Sequence, residues 1–288
     1  MKKSDLLFLL VVFLLASCSN EFDGKNGIKT ICFPESEIPQ VVVEYRDGKM
    51  NGELREYYRN GHLKLRQYYV DDRATDSSFL YHENGSIAEI QYKKDFKKSG
   101  TWKKFNKDGK LYEEISFDND YLEGVSSKYT YRTGKLLRRL NYKSGMKEGK
   151  QEFYYNNGRP KAVVYYHYNK PAKGTEEWQE DGKKIANDFK ISVREQNKLL
   201  LENRLLYYIK LENPQPDDEV YVMANEEEEN LATTVYSLGK VNDEFLLEYK
   251  VAPGGFIMET VKIGAFRKTA MGNTLIRTQS INVSANNF

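Results

Sequence analysis

The sequence predicts an all-β protein: an antiparallel sheet of repeated β-hairpins, followed by a β-sandwich-like domain. Three observations carry this. Glycines recur at Gly61, Gly85, Gly109, Gly134, Gly158 and Gly182, each closing an Asn-Gly, Asp-Gly or Thr-Gly pair, at intervals of 24, 24, 25, 24 and 24 residues. Aromatic residues keep a fixed distance from those glycines. Beyond Asp188 the period stops, and short β-rich runs follow one another at about 8 to 12 residue spacing, as in sandwiches.

The columns define the repeat. Four positions before the glycine stand Tyr57, Tyr81, Phe105, Tyr154 and Trp178, five of six being aromatic. The exception, Thr130, falls in the 25-residue interval between Tyr129 and Tyr131, and the extra residue reads as a β-bulge. Two positions after the glycine come Leu63, Ile87, Leu111 and Leu136, then Pro160 and Lys184. A second glycine lies eight to ten residues upstream at Gly52, Gly100, Gly124, Gly149 and Gly174, and is missing around Asp76. A three-residue loop closed by a left-handed glycine sets each aromatic opposite an aliphatic, a cross-strand pairing worth roughly 0.2 to 1 kcal/mol. Six hairpins then give about twelve strands, each needing its neighbours to bury anything.

The pattern G-x-x-x-x-Y/F-Y-x-N/D-G-K-L, present as GELREYYRNGHL, GTWKKFNKDGKL and GKQEFYYNNGRP, resembles the MORN-repeat variant of bacterial proteins over residues 41–188. The resemblance implies a hairpin sheet that binds proteins or lipid. Because such proteins often carry that label, it also implies an antitoxin or immunity-type binder. Asp76 and Lys184 depart from the pattern.

The N-terminus predicts export. Lys2 and Lys3 precede an unbroken apolar run, Leu6 to Leu15, too short for a bilayer span of about 20 residues and suited to a cleaved signal. Leu15-Ala16-Ser17-Cys18 resembles the lipobox of bacterial lipoproteins, which implies acylation of Cys18. Two or more acyl chains anchor stably, so a lipid-held envelope protein is expected, with Ser19 favouring the outer membrane. With Cys18 acylated, Cys32 is left as a buried free thiol without an intrachain partner. The expected organisation is a signal over 1–17, a tether over 18–40, six repeats over 41–188 and a β-sandwich-like domain over 189–288. The repeats hold 29 basic against 23 acidic residues and the last hundred residues 11 against 14, a mild support for two domains.

The chain holds no HExxH, CxxC, GxSxG, Walker A or GxGxxG pattern, and no cofactor is expected. His62, His82 and His167 occupy different columns and are not expected to converge. Glu113-Glu114 and Glu176-Glu177 are read as solvated, since neighbouring strand residues point to opposite faces; Glu226 to Glu229 is read as a solvated loop. Near-balanced charge and the export signal argue against nucleic acid. The aromatic column is read as core. Off-column aromatics, Tyr58, Trp102, Tyr131 and Tyr155, are the candidate contacts, because exposed aromatics on a rigid sheet suit glycan or peptide stacking. The expected role is a non-enzymatic scaffold or binding surface for an envelope protein or glycan. Two alternatives stay open: an antitoxin or immunity-type binder, and an envelope hydrolase using carboxylates of adjacent hairpins.

Overall fold

The computed structural model describes residues 21–224 and 234–288. The export signal, Cys18 and Glu226 to Glu229 lie outside them. The chain forms two compact units, one ending at Leu111 and one beginning at Tyr112, so the repeats contribute to both.

In the first unit the strands are β1 (Gly27–Cys32), β2 (Pro39–Arg46), β3 (Lys49–Tyr57), β4 (Leu63–Val70), β5 (Arg73–Tyr81), β6 (Ile87–Lys94), β7 (Lys97–Lys98) and β8 (Gly100–Phe105). They pair antiparallel in chain order, with β7 on β6 and β8 beside β6. β1 lies within the expected tether. It pairs with β2 from Gly27 opposite Tyr45 to Cys32 opposite Pro39, giving β2 partners on both sides. Cys32 is half-buried and disulfide-bonded, not the buried free thiol expected.

Each repeat contains two turns. At the first, Tyr58 N–H donates to His62 O at 2.8 Å and Gly61 N–H to Tyr58 O at 2.9 Å, with Gly61 at φ +82°. This is the three-residue loop expected from the columns, and Tyr57 does face Leu63, as Tyr81 faces Ile87. The second turn has two residues, and both carry positive φ: Asp47-Gly48, Asp71-Asp72, Asp95-Phe96, and in the second unit Asn119-Asp120 and Tyr168-Asn169. Positive φ at both central positions makes a type I′ turn, whose twist suits a hairpin. A left-handed Phe96 (φ +67°) or Tyr168 (φ +45°) is strained by roughly 1–3 kcal/mol. Hydrogen bonds to the neighbouring repeat hold the turn: Met50 N–H donates to Asp72 Oδ1 at 2.8 Å and Asp72 N–H to Met50 O at 3.0 Å.

In the second unit the repeats continue as β9 (Leu111–Asp118), β10 (Tyr121–Tyr129), β11 (Leu136–Lys143), β12 (Met146–Lys147), β13 (Gly149–Tyr154), β14 (Pro160–His167) and β15 (Lys170–Glu177). The extra residue of the 25-residue interval is in a turn and not in a bulge. Thr130 N–H reaches Lys135 O at 2.7 Å and Gly134 N–H reaches Thr130 O at 2.9 Å, one residue longer than the other loops. Tyr129 faces Leu136, so the aromatic–aliphatic pairing is kept and the insertion breaks no ladder bond. The upstream glycines mark the true bulges. Between β14 and β15 the register jumps from Val163 opposite Glu176 to Tyr165 opposite Ala172; Gly174 sits inside the jump at φ +118°, where a Cβ would lie 2.8 Å from the Tyr165 ring. The sixth hairpin is truncated: after Gly182 only an isolated bridge joins Trp178 to Lys184. Lys184 there replaces the aliphatic residue that pairs with the aromatic in the first four repeats.

The rest of the second unit is a β-sandwich. β16 (Ile191–Lys198), a one-turn helix α1 (Leu199–Glu202), β17 (Arg204–Leu211), β18 (Glu219–Met223), β19 (Thr234–Ser237), β20 (Lys240–Val241), β21 (Glu244–Lys250), β22 (Phe256–Lys268) and β23 (Thr274–Asn286) form two four-stranded sheets. Their orders are β16-β17-β21-β20 and β19-β18-β22-β23. Leu205, Ile209 and Leu247 from one sheet meet Val220, Ile263 and Val283 from the other in one buried cluster. No residue before Phe189 belongs to either core cluster of the described residues. The aromatic column expected as core is half-buried instead, because the interior positions of the repeats are shared with polar Gln67, Ser78, Ser127 and Gln151.

Gly109 is open around its Cβ position at φ +77°, so Gly109→Asn should change stability by under about 1 kcal/mol. Gly174→Asn should cost about 2 kcal/mol or more, through strain and the Tyr165 ring. Equal urea midpoints for the two variants would contradict this account of the two glycine columns.

Candidate binding surface

The three-residue turns are laced to one another. In the first unit Tyr58 Oη donates to Tyr81 O at 2.8 Å, and His82, which stands in the same column one repeat later, bonds through Nε2 to Phe105 O at 2.8 Å. The Asn of each Asn-Gly pair does likewise: Asn60 Nδ2 to Glu83 O and Asn84 Nδ2 to Lys107 O, both 2.8 Å. In the second unit Tyr155 Oη donates to Trp178 O at 2.7 Å and Asn157 Nδ2 to Glu180 O at 3.2 Å. Each contact spans 23 residues, so a 24-residue period brings the same donor to an equivalent carbonyl at successive turns.

This ladder decides what the four candidate aromatics can do. Tyr58 and Tyr155 are half-buried with their hydroxyls engaged. Trp102 is half-buried too; its Nε1 donates to Tyr92 O at 2.7 Å, and Lys98 Nζ lies 4.9 Å from its ring. Tyr131 is 52% exposed at the tip of the longer loop, its ring 5.0 Å from that of Tyr112.

Other exposed aromatics gather by the two-residue turns. In the first unit these are Tyr68, Tyr92 and Phe96, and in the second Tyr121 and Tyr168. Phe96 is 53% exposed at the centre of Lys93-Lys94-Asp95-Phe96-Lys97-Lys98. Lys93 faces Lys98 and Lys94 faces Lys97 across this tip, like charges directly opposite, which destabilise a hairpin; Arg73 stacks on Phe96 at 5.4 Å. Sequence reasoning missed this edge because the turns carry no constant residue; only a recurrence at 24-residue spacing of Asp, Asn, Ser or Tyr at the first turn position signals them. At the opposite turns of the first unit a hollow of about 410 Å³ is lined by Phe33, Glu56, Tyr57, Tyr58, Arg59 and Lys64. The Arg59 guanidinium covers the Phe33 ring at 5.1 Å, and Lys64 pairs with Glu56 at 3.3 Å.

The carboxylates are engaged in structure. Glu114 accepts from Tyr129 Oη at 2.9 Å. Glu176 pairs with Lys184 at 2.5 Å on the surface. Glu177, read above as solvated, is 1% exposed: it takes Thr269 Oγ1 and Asn273 Nδ2, both at 2.6 Å, and Asn187 Nδ2. Burying a carboxylate costs several kcal/mol unless donors surround it, and here the loop between β22 and β23 supplies two of them. Glu148 accepts from Tyr168 N–H and pairs with His167 Nδ1, both at 2.9 Å. Burial pulls the Glu148 carboxyl upward, but these two contacts outweigh it and hold it below its ordinary value of 4.5. Among the described residues no group of three or more His, Cys, Asp or Glu could hold a metal ion.

Residues 50–71, 98–119 and 147–168 match the MORN repeat variant. The matched segments are the first, third and fifth repeats; the second has Asp76 in place of the bulge glycine, and the fourth contains the longer turn. No curated protein matches the chain. MORN repeats are in general binding and scaffold repeats, which fits an array of engaged carboxylates and exposed aromatic edges.

Glu177→Leu leaves three donors facing an apolar side chain and should destabilise the second unit by about 3 kcal/mol or more. An unchanged melting temperature would refute the structural role. Because the Glu148 carboxyl is held down in the folded chain, its contribution is present above its ordinary value and lost as pH falls through the folded value. Glu148→Gln should therefore flatten the acid limb of stability between about pH 5 and pH 3, read from urea midpoints; parallel limbs for variant and parent would count against the contact.

Proposed function

We propose that the chain is a lipid-anchored cell-envelope protein whose repeats form a non-enzymatic binding surface for a protein or glycan partner. The observation that carries this is the Phe96 edge: an exposed aromatic among four lysines, on a two-residue turn, with the Arg73 guanidinium over its ring. Aromatic faces give large contact area at low entropic cost, and cations around them add directional attraction to acidic groups. The repeats over 41–188 act as one module and residues 189–288 as a second. The matched MORN repeat variants support a scaffold role, and the lipobox-like Leu15-Ala16-Ser17-Cys18 supports outer-membrane anchoring.

A photo-crosslinking residue at position 96 should capture a partner from intact cells, while one at position 58, where the hydroxyl is engaged within the ladder, should capture little. Equal capture at both, or none at 96, would remove the edge as the binding surface. Anchoring is tested separately. Mass spectrometry of the mature N-terminus should find Cys18 acylated; a mature chain whose Cys18 carries no acyl chain would sink the anchor.

A further inference from the structure

The far end of the sandwich in the second unit exposes large apolar side chains. Leu200 and Leu201 on α1 are both 90% exposed, Phe256 at the start of β22 is 77% exposed, and Phe288 is 84% exposed. Met258, on the same side of β22 as Phe256, is 79% exposed. They come from three segments, and one buried residue clamps these together. Asn287 donates through Nδ2 to Val251 O at 2.6 Å and to Asn203 Oδ1 at 2.9 Å; its N–H donates to Gly255 O at 3.0 Å, and its carbonyl accepts from Gly254 N–H at 2.6 Å. Asn203, with φ +56°, is the left-handed residue that ends α1. The apolar tip is thus a built feature, with its loops held in register.

A belt of cations stands behind it. Lys198, Arg204 and Lys250 lie side by side across β16, β17 and β21. Glu202 pairs with Lys198 at 2.9 Å, and Glu248 with Arg204 at 3.5 Å, which leaves the belt one net positive charge. Apolar side chains projecting beyond a row of Lys and Arg match the layering of a bilayer surface, with acyl chains beyond phosphates. Exposed apolar clusters of this kind mark an interaction site.

We propose that this end of the sandwich docks on a lipid bilayer: Leu200, Leu201, Phe256 and Phe288 enter the acyl boundary, and Lys198, Arg204 and Lys250 meet the phosphates. The contact is independent of acylation at Cys18 and of any partner at Phe96. The test uses the full chain bound to vesicles of phosphatidylcholine and phosphatidylglycerol containing brominated lipid. Phe256→Trp should show a blue-shifted emission, relative to the parent chain, that brominated lipid quenches. Lys240→Trp, at the opposite end of the sandwich, should not be quenched. Adding Leu200→Ser and Leu201→Ser should remove most of the quenching at position 256, and high salt should leave the original signal largely in place, since the net belt charge is small. Vesicle-bound chain with no quenching at 256 would overturn the proposal. So would a blue shift without lipid that tracks dimer formation in sedimentation, which would make the tip a contact between copies.

Discussion

The repeats depend on one recurring interaction, the hydrogen bond from a turn of one hairpin to the backbone of the next. An isolated hairpin is marginal in water, and among the described residues these hairpins add nothing to either apolar core cluster and fully bury few apolar side chains, Val43, Leu140, Ala162 and Val164. What they have is registration. Histidine at 82 differs chemically from tyrosine at 58 and 155, yet each reaches a carbonyl 23 residues ahead. At the other turns a backbone N–H and a side-chain carboxylate or amide link residue 50 to 72 and residue 147 to 169. Satisfying backbone groups this way links neighbouring repeats on both edges and makes the stability of one hairpin a property of its neighbours.

That arrangement separates two kinds of aromatic residue. Those by the three-residue turns have their polar atoms engaged and their rings half-covered. Those by the two-residue turns project into solvent. The hairpin bearing Phe96 is costly twice over, through its left-handed backbone and its facing lysine pairs, and these costs fall at a tip where an aromatic residue stands among cations. Local strain and like-charge pairing are tolerated where the surrounding structure holds them, and such places are commonly where function sits.

The sandwich follows a different logic. Its two sheets bury Leu, Ile and Val across a shared interior, and its connection to the last repeat runs through a carboxylate. Glu177 at the end of β15 gathers donors from the loop between β22 and β23, and Asp188 pairs with Arg277 at 2.7 Å. Removing a donor there leaves an uncompensated buried charge, so this contact is specific in a way an apolar patch would not be.

The period, the glycine pairs and the aromatic–aliphatic columns determine hairpins with three-residue loops from sequence alone, because a left-handed glycine and a cross-strand pair leave chemical marks at fixed spacing. The seven strand-like runs after Asp188 are equally plain, since buried strands read as short apolar runs. What only the tertiary structure decided is which groups meet. The two-residue turns carry Asp, Asn, Ser, Tyr, Phe or Gly at positions that all adopt positive φ, so their identity is set by hydrogen bonds from the adjacent repeat and not by their own residues. Tyr58 and Tyr155 looked like free contacts until their hydroxyls were found on carbonyls 23 residues away. Glu177 looked like half of a solvated pair, and its burial depends on Thr269 and Asn273, more than 90 residues further along the chain. Spacing reports local backbone geometry; it carries no record of partners brought in by folding.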